Sequence, residues 1–175
     1  MVTVFYTVTM MTKLSKSQIR STRKLGGRDV LNLDRYIPFF LTSLTNKWSS
    51  GASKKFIEDF GIGIVDWRVI AMLAVEPNIT ANRVCQVIGL DKGAVSRCFR
   101  HLDTSKLISI KADEEDARLK KVQLAAKGLK LHDRVMKIAL KREQNLLAGL
   151  SEQELNTLIK LFTKLQSNVG DLDIE

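Results

Sequence analysis

The stretch TANRVCQVIGLDKGAVSRCFRHLDTSKL, residues 80–107, reads as two short helices on either side of a tight turn. Thr80 stands where a hydroxyl can cap the first, with Val84, Val87 and Ile88 as its inward face, and Gly89 sits at the position after a helix where positive φ is needed. Asp91 offers the next cap. Beyond it Val95, Phe99 and Leu102 recur at i, i+4 and i+7, while Lys92, Gly93, Ser96, Arg97 and Arg100 fall on the opposite face. One face is apolar and must find a core; the other is small, polar and cationic and is expected to stay exposed. Two helices in this arrangement, the second basic on its outer side, form a helix-turn-helix pattern.

The segments that follow extend the pattern. LISI (107–110) and KVQLA (121–125) alternate in polarity as short strands do, and the loop between them carries Asp113, Glu114, Glu115 and Asp116, then Arg118, Lys120 and Lys121. A charged hairpin after a helix-turn-helix makes it winged.

The flanks read as helices. Ile37, Phe40, Leu41, Leu44 and Trp48 share one face, which Ala52, Phe56 and Phe60 continue, although Gly51 weakens the middle. VDWRVIAMLAVEP (65–77) is a second helix ended by Pro77. After Lys127, Leu129, Leu131, Val135, Ile138, Leu146 and Leu147 mark a long helix. Ser151 and Glu154 then form an S-x-x-E capping box, and Leu155, Leu158, Ile159, Phe162 and Leu165 make the stripe of the last helix. That stripe exceeds what a terminal helix needs to cover a small domain, so a homodimer interface is expected there. Residues 1–30 lack strong periodicity and turn basic after the first dozen, which predicts a tail. The expected organisation is therefore a tail over 1–30, a first scaffold and dimerisation helix over 31–60, a winged helix-turn-helix over 61–126, and dimerising helices over 127–175. The fold class is mostly α with a small β-hairpin wing.

Composition narrows the partner. The chain of 175 residues carries 28 Lys+Arg against 19 Asp+Glu, a formal net charge of +9 and a pI near 9.7. Such a balance favours a polyanion, nucleic acid first and a membrane surface second; with the winged helix-turn-helix pattern, double-stranded DNA is the expected partner. No apolar run approaches the roughly 18 residues that span a bilayer, and the N-terminus lacks a basic, then apolar leader, so a cytoplasmic location without a membrane partner is expected. Two cysteines and two histidines with no metal-ligand spacing predict neither a disulfide framework nor a metal site. No Gly-rich phosphate loop and no convergent acid, base or nucleophile is present, so neither an enzyme nor a cofactor is expected. Cys98 with His101 one turn on could be drawn as a reactive pair, but any helix brings such residues together and no third group orients them. A winged helix serving only as a protein-interaction module is the alternative; Lys92, Arg97 and Arg100 on the outer face disfavour it.

The stretch ITANRVCQVIGLDKGAVSRCFRHLDTSKLISIKADEEDARLKKVQLAAKG (79–128) resembles the MarR family of winged-helix transcription regulators. The likeness lies in the ordered pattern I-T-x-x-x-V, D-x-x-x-x-S-R, L-x-x-x-x-L-I, D-x-x-D-x-R and V-x-L-x-x-x-G, and it extends over about residues 34–168. It implies that the helix over 91–106 enters a major groove with Ser96 and Arg97, that Arg118 reaches a neighbouring minor groove, and that terminal helices form a dimer. It also implies a small phenolic or lipophilic effector. Gly93 departs from the Ser or Thr usual there, Lys106 from a helix-ending Gly, and Ala125–Ala126 from a Leu-Thr wing end. Within this reading Asp116 is expected to aim Arg118 by a bidentate pair, and Lys120 and Lys121 to meet phosphate.

Overall fold

A computed structural model of the chain describes residues 21–113, 116 and 118–169. The described part has two compact units, one ending at Lys54 and one starting at Lys55.

The first unit departs from the expected tail. Strands β1 (Thr22–Leu25) and β2 (Arg28–Leu31) pair antiparallel through a turn at Gly26 and Gly27, both at positive φ. A two-residue Gly-Gly connection supplies the left-handed backbone such a hairpin demands, and Lys24 pairs with Asp29 across it at 3.0 Å. The sequence reading missed it because all four strand residues of β1 are exposed, leaving no alternation of polarity to see. Residues 1–20 of the expected tail lie outside the described residues. Helix α1 (Ile37–Phe60) starts one residue before Pro38, in the first turn, where the missing N–H costs nothing, and runs through Gly51 unbroken.

The second unit is built around α2 (Ile64–Val75), α3 (Ala81–Ile88), α4 (Lys92–Thr104) and a sheet of β3 (Ile79–Thr80), β4 (Ile108–Ala112) and β5 (Lys120–Leu124), followed by α5 (Ala126–Leu146) and α6 (Glu152–Val169). The sheet runs β3-β5-β4, with Ile79 and Ile110 both opposite Val122 and Ile108 opposite Leu124. Ile79, Ile108, Val122 and Leu124 are buried together with Val69, Ile70 and Leu73 of α2, Val84 of α3, and Val95, Phe99 and Leu102 of α4. Phe56, Trp67 and His132 extend this core as a row of rings, edge-on at 6.2 Å and then stacked at 5.7 Å. The fold is the winged helix that the sequence led us to expect, with β3 as a third strand not foreseen from its two residues.

The caps behave as read. Thr80 Oγ1 accepts the Arg83 N–H at 3.3 Å, Asp91 Oδ1 accepts the Ala94 N–H at 2.8 Å, Gly89 has φ +70°, and Ser151 and Glu154 exchange bonds around the start of α6. One inward assignment does not hold: Val87 is 48% exposed, because an eight-residue helix leaning on the sheet buries a narrower stripe than its apolar residues fill.

The end of α4 carries strain. Lys106 sits at φ +58°, with its N–H on the Asp103 carbonyl and the Leu107 N–H on the Leu102 carbonyl, a Schellman closure that favours glycine. Lys106→Gly is expected to stabilise the fold by about 0.5–1 kcal/mol, raising Tm by about 1–4 °C, after the extra freedom glycine gives the unfolded chain is deducted. Thermal unfolding monitored by circular dichroism checks this; an unchanged or lower Tm would mean that Lys106 makes compensating contacts.

Candidate nucleic-acid interface

Helix α4 is oriented by what it buries. Val95, Cys98, Phe99 and Leu102 point into the core, so Lys92, Gly93, Ser96, Arg97 and Arg100 are all exposed. They split into two rows. Lys92, Ser96 and Arg100, at i, i+4 and i+8, line a shallow cavity of about 340 Å³ together with Ala81, Asn82 and Cys85 of α3 and Ile110 of β4. Gly93 and Arg97 form the second row, where Arg97 lines a depression with Val65, Asp66, Ala94 and Cys98. A Cβ at position 93 would lie 3.4 Å from Arg97 Nη1 and 3.0 Å from Asp91 Oδ1, so glycine lets the guanidinium fold back along the helix start. Asn82 and Ile110 belong to this surface and were not singled out in the sequence. An i, i+4 reading of one helix carries no information about which neighbouring element closes the groove beside it.

Behind the basic face a carboxylate holds α4 in place. Buried Asp66, at the start of α2, accepts the Gly63 N–H at 2.9 Å through Oδ2, and the same oxygen lies 3.0 Å from His101 Nδ1. His101 is thus a tether between α4 and α2. Burial and the adjacent Asp66 carboxylate push the Cys98 thiol well above the ordinary thiol range, which leaves the thiolate unpopulated at neutral pH. Iodoacetamide at pH 8 is therefore expected to alkylate half-buried Cys85 while sparing Cys98 in the folded chain. Peptide mass spectrometry checks it, and rapid modification of Cys98 would show that it is activated.

The wing revises the reading of the acidic loop. Asp113, only 9% exposed, forms an ion pair with Lys121 and accepts the Asp116 N–H at 3.2 Å, while its own N–H reaches the Leu119 carbonyl at 2.8 Å. Lys121 stands directly opposite Lys111 in the β4–β5 register, and like charges at that spacing repel. Asp113 offsets the repulsion and closes the loop. Asp116 does not pair with the Arg118 guanidinium: its Oδ1 accepts the main-chain N–H of Arg118 at 2.9 Å, and its carbonyl accepts the Leu119 N–H. A side chain two residues ahead reaches a backbone amide more easily than a flexible guanidinium, which is the local bond that makes Asp a turn residue. Arg118, Leu119 and Lys120 are exposed at the tip, and the Arg118 side chain has no ion-pair partner among the described residues. Both lysines expected to meet phosphate are exposed, and Lys121 is also paired with Asp113.

The apolar stripe of α6 is also exposed. Ile159 is 54% and Phe162 43% accessible, Leu165 is exposed as well, and Leu155 and Leu158 are half-buried. No group of three or more His, Cys, Asp and Glu able to hold a metal ion occurs among the described residues, and none of their helices is long and apolar enough to cross a membrane.

Comparison with known proteins agrees with this geometry. The sequence model of the MarR family matches residues 60–119, from the end of α1 through the loop at the wing tip. A MarR/EmrR family transcriptional regulator from Acinetobacter sp. ADP1 is 31% identical and superposes with a TM-score of 0.76, covering 81% of this chain and 100% of its own. MepR from S. aureus, solved as a complex with DNA, is 25% identical with a TM-score of 0.69, covering 79% and 99%. FabT from Streptococcus pneumoniae, also solved with DNA, shares the fold at 22% identity and a TM-score of 0.63, covering 78% and 97%. With its helix-turn-helix, its three-stranded wing and a relative of this identity aligned over its whole length, the chain belongs to the MarR family of transcription regulators.

Proposed function

We propose that the chain acts as a homodimer that binds a palindromic operator in duplex DNA, with α4 in the major groove and the wing tip in the flanking minor groove. The observation that carries this is the placement of exposed Lys92, Ser96, Arg97 and Arg100 on one helix whose opposite face is fully committed to the core, beside an exposed hairpin tip bearing Arg118 and Lys120. A helix with these side chains fits a groove about 12 Å wide. The DNA complexes of MepR and FabT, folds of the same kind, support the docking. Exposed Ile159, Phe162 and Leu165 on α6 support a self-association that would bury them, and two recognition helices related by a two-fold axis would read two half-sites. A small phenolic or lipophilic effector, as the family resemblance implies, would make the binding conditional.

The reading is tested by selecting bound sequences from random duplex DNA, which should yield an inverted repeat, and then titrating variants onto it at fixed salt. Arg118→Ala should weaken binding by roughly 1–3 kcal/mol while leaving the fold intact, because a guanidinium in a narrow minor groove gains from its concentrated negative potential. Asp116→Asn should bind like the unaltered protein, since its amide oxygen still accepts the Arg118 N–H, whereas Asp116→Ala should bind more weakly. In the double variant with Arg118→Ala the Asp116→Ala loss should largely vanish, because a loop bond that positions Arg118 matters only while Arg118 is there. Undiminished binding by Arg118→Ala would exclude the hairpin from the interface, and failure to select any motif would favour the interaction module.

A further inference from the structure

We infer that the β1–β2 hairpin is a second contact with nucleic acid, in which Arg23 and Arg28 grip the phosphates of duplex DNA flanking the operator. The inference rests on the operator-binding reading of α4 and the wing, and adds a surface to which neither of them belongs. Charge is distributed very unevenly along the chain. Residues 1–28 contain Lys13, Lys16, Arg20, Arg23, Lys24 and Arg28 and no Asp or Glu, so they hold +6 of the net +9 and the rest of the chain shares +3. Lys13, Lys16 and Arg20 lie outside the described residues; the other three stand on the hairpin. The resemblance to the winged-helix family begins near residue 34, after the hairpin, so nothing in that fold calls for it.

The register sorts the hairpin's side chains into two unlike faces. Cross-strand partners share a face and successive residues alternate between faces. Thr22, Lys24, Asp29 and Leu31 therefore lie on one side, and Arg23, Leu25, Arg28 and Val30 on the other. On the first, Asp29 neutralises Lys24 at 3.0 Å. The second carries two arginines and no acid, and neither arginine has an ion-pair partner among the described residues. Arg23 and Arg28 are diagonal neighbours there, about 7–8 Å apart at the backbone, so they form one patch of like charge. Every strand residue except Val30 is exposed, Leu25 to 62%. The Gly-Gly turn and the Lys24–Asp29 pair thus shape a ribbon with almost no core of its own, and what the ribbon presents is the arginine face.

A polyphosphate suits that face. The guanidinium fork matches phosphate oxygens where an ammonium does not, and the hairpin's one lysine is the cation already paired. A two-stranded ribbon is narrow enough to lie in a major groove about 12 Å wide. An anionic membrane fits less well, since Leu25 and Val30 are too few apolar side chains to hold a lipid surface. Exposed arginine–phosphate contacts are individually weak, but a basic arm tethered to a chain already on its operator meets the adjacent DNA at a high effective concentration.

Anisotropy titrations test the arm by comparing a duplex trimmed to the selected operator with one extended on each side by about two helical turns, roughly 20 base pairs, of arbitrary sequence. The unaltered chain should bind the extended duplex about tenfold more tightly at low salt. Its slope of log affinity against log salt should be steeper there by about 2–4, because the proposed dimer offers four arginines worth about 0.9 each. Arg23→Gln combined with Arg28→Gln should remove most of this gain while leaving binding to the trimmed duplex and the circular dichroism spectrum unchanged. Lys137→Gln combined with Lys141→Gln takes the same charge from exposed positions of α5 and should keep the gain. A gain that survives the hairpin substitutions, one that the α5 substitutions abolish equally, or none at all on a chain that binds the trimmed operator would overturn the proposal and leave the operator reading standing. Binding to neither duplex would remove both. Capture on vesicles of phosphatidylserine and phosphatidylcholine that the hairpin substitutions abolish, with no gain from the flanks, would assign the arginine face to a membrane instead.

Discussion

Raising the salt concentration fourfold, from about 50 to 200 mM, should weaken binding to the selected operator by about 10³- to 10⁵-fold. The expectation comes from counting cations that face outward at the proposed contact surface. Lys92, Arg97 and Arg100 on α4 and Lys111, Lys120 and Arg118 on the wing are exposed; Lys121 is exposed too but is left out of the count because its charge is already paired with Asp113. The proposed two-fold dimer would double the six. With some of the twelve reading bases, roughly six to ten are left to displace counterions from phosphates, and each adds about 0.9 to the slope of log affinity against log salt. The net charge of +9 adds long-range attraction that screens in the same direction. Fluorescence anisotropy of labelled duplex at four salt concentrations gives the slope directly. A shallow slope, equivalent to one or two phosphates, would mean that α4 and the wing do not lie along the backbone.

Gly128→Ala should destabilise the fold by roughly 3 kcal/mol or more, lowering Tm by about 6–12 °C. Helix propensity points the other way, since alanine in place of a helical glycine ordinarily gains about 0.5–1 kcal/mol. The sign therefore tests packing alone. Gly128 lies in the first turn of α5, buried, and a Cβ there would overlap the Leu107 carbonyl oxygen, with the carbonyl carbon at 3.0 Å and Leu124 Cδ2 at 3.3 Å. That carbonyl has little room to yield, because it accepts the Ala125 N–H at 3.0 Å, the bond that joins the end of β5 and the start of α5 to the turn before β4. Ala125 lacks a side chain to cap α5, so this backbone contact carries the junction. Urea unfolding of the two proteins side by side checks the prediction. A neutral or stabilising substitution would show that α5 can move off Leu107 at little cost.

Much of this protein is determined by its sequence. Alternation and period placed the second helix of the pair, its buried Val95, Phe99 and Leu102 and its exposed Lys92, Ser96 and Arg100, because a helix that buries one face against a core has no choice about the other. Local chemistry placed the caps at Thr80, Asp91 and Ser151 and the turn at Gly89, since each depends on bonds within three or four residues. The tertiary structure decided what depends on neighbours remote in sequence. It assigned Asp113 to Lys121 and Asp116 to a backbone amide, where a run of four acids looks uniform from the sequence; it joined Asp66 to His101, 35 residues away; and it made Gly128 a packing requirement by bringing a carbonyl against it. Residue spacing along one element fixes direction, but the partner that waits in that direction is set by how the elements pack, and a carboxylate, an imidazole or a missing Cβ acquires its role only there.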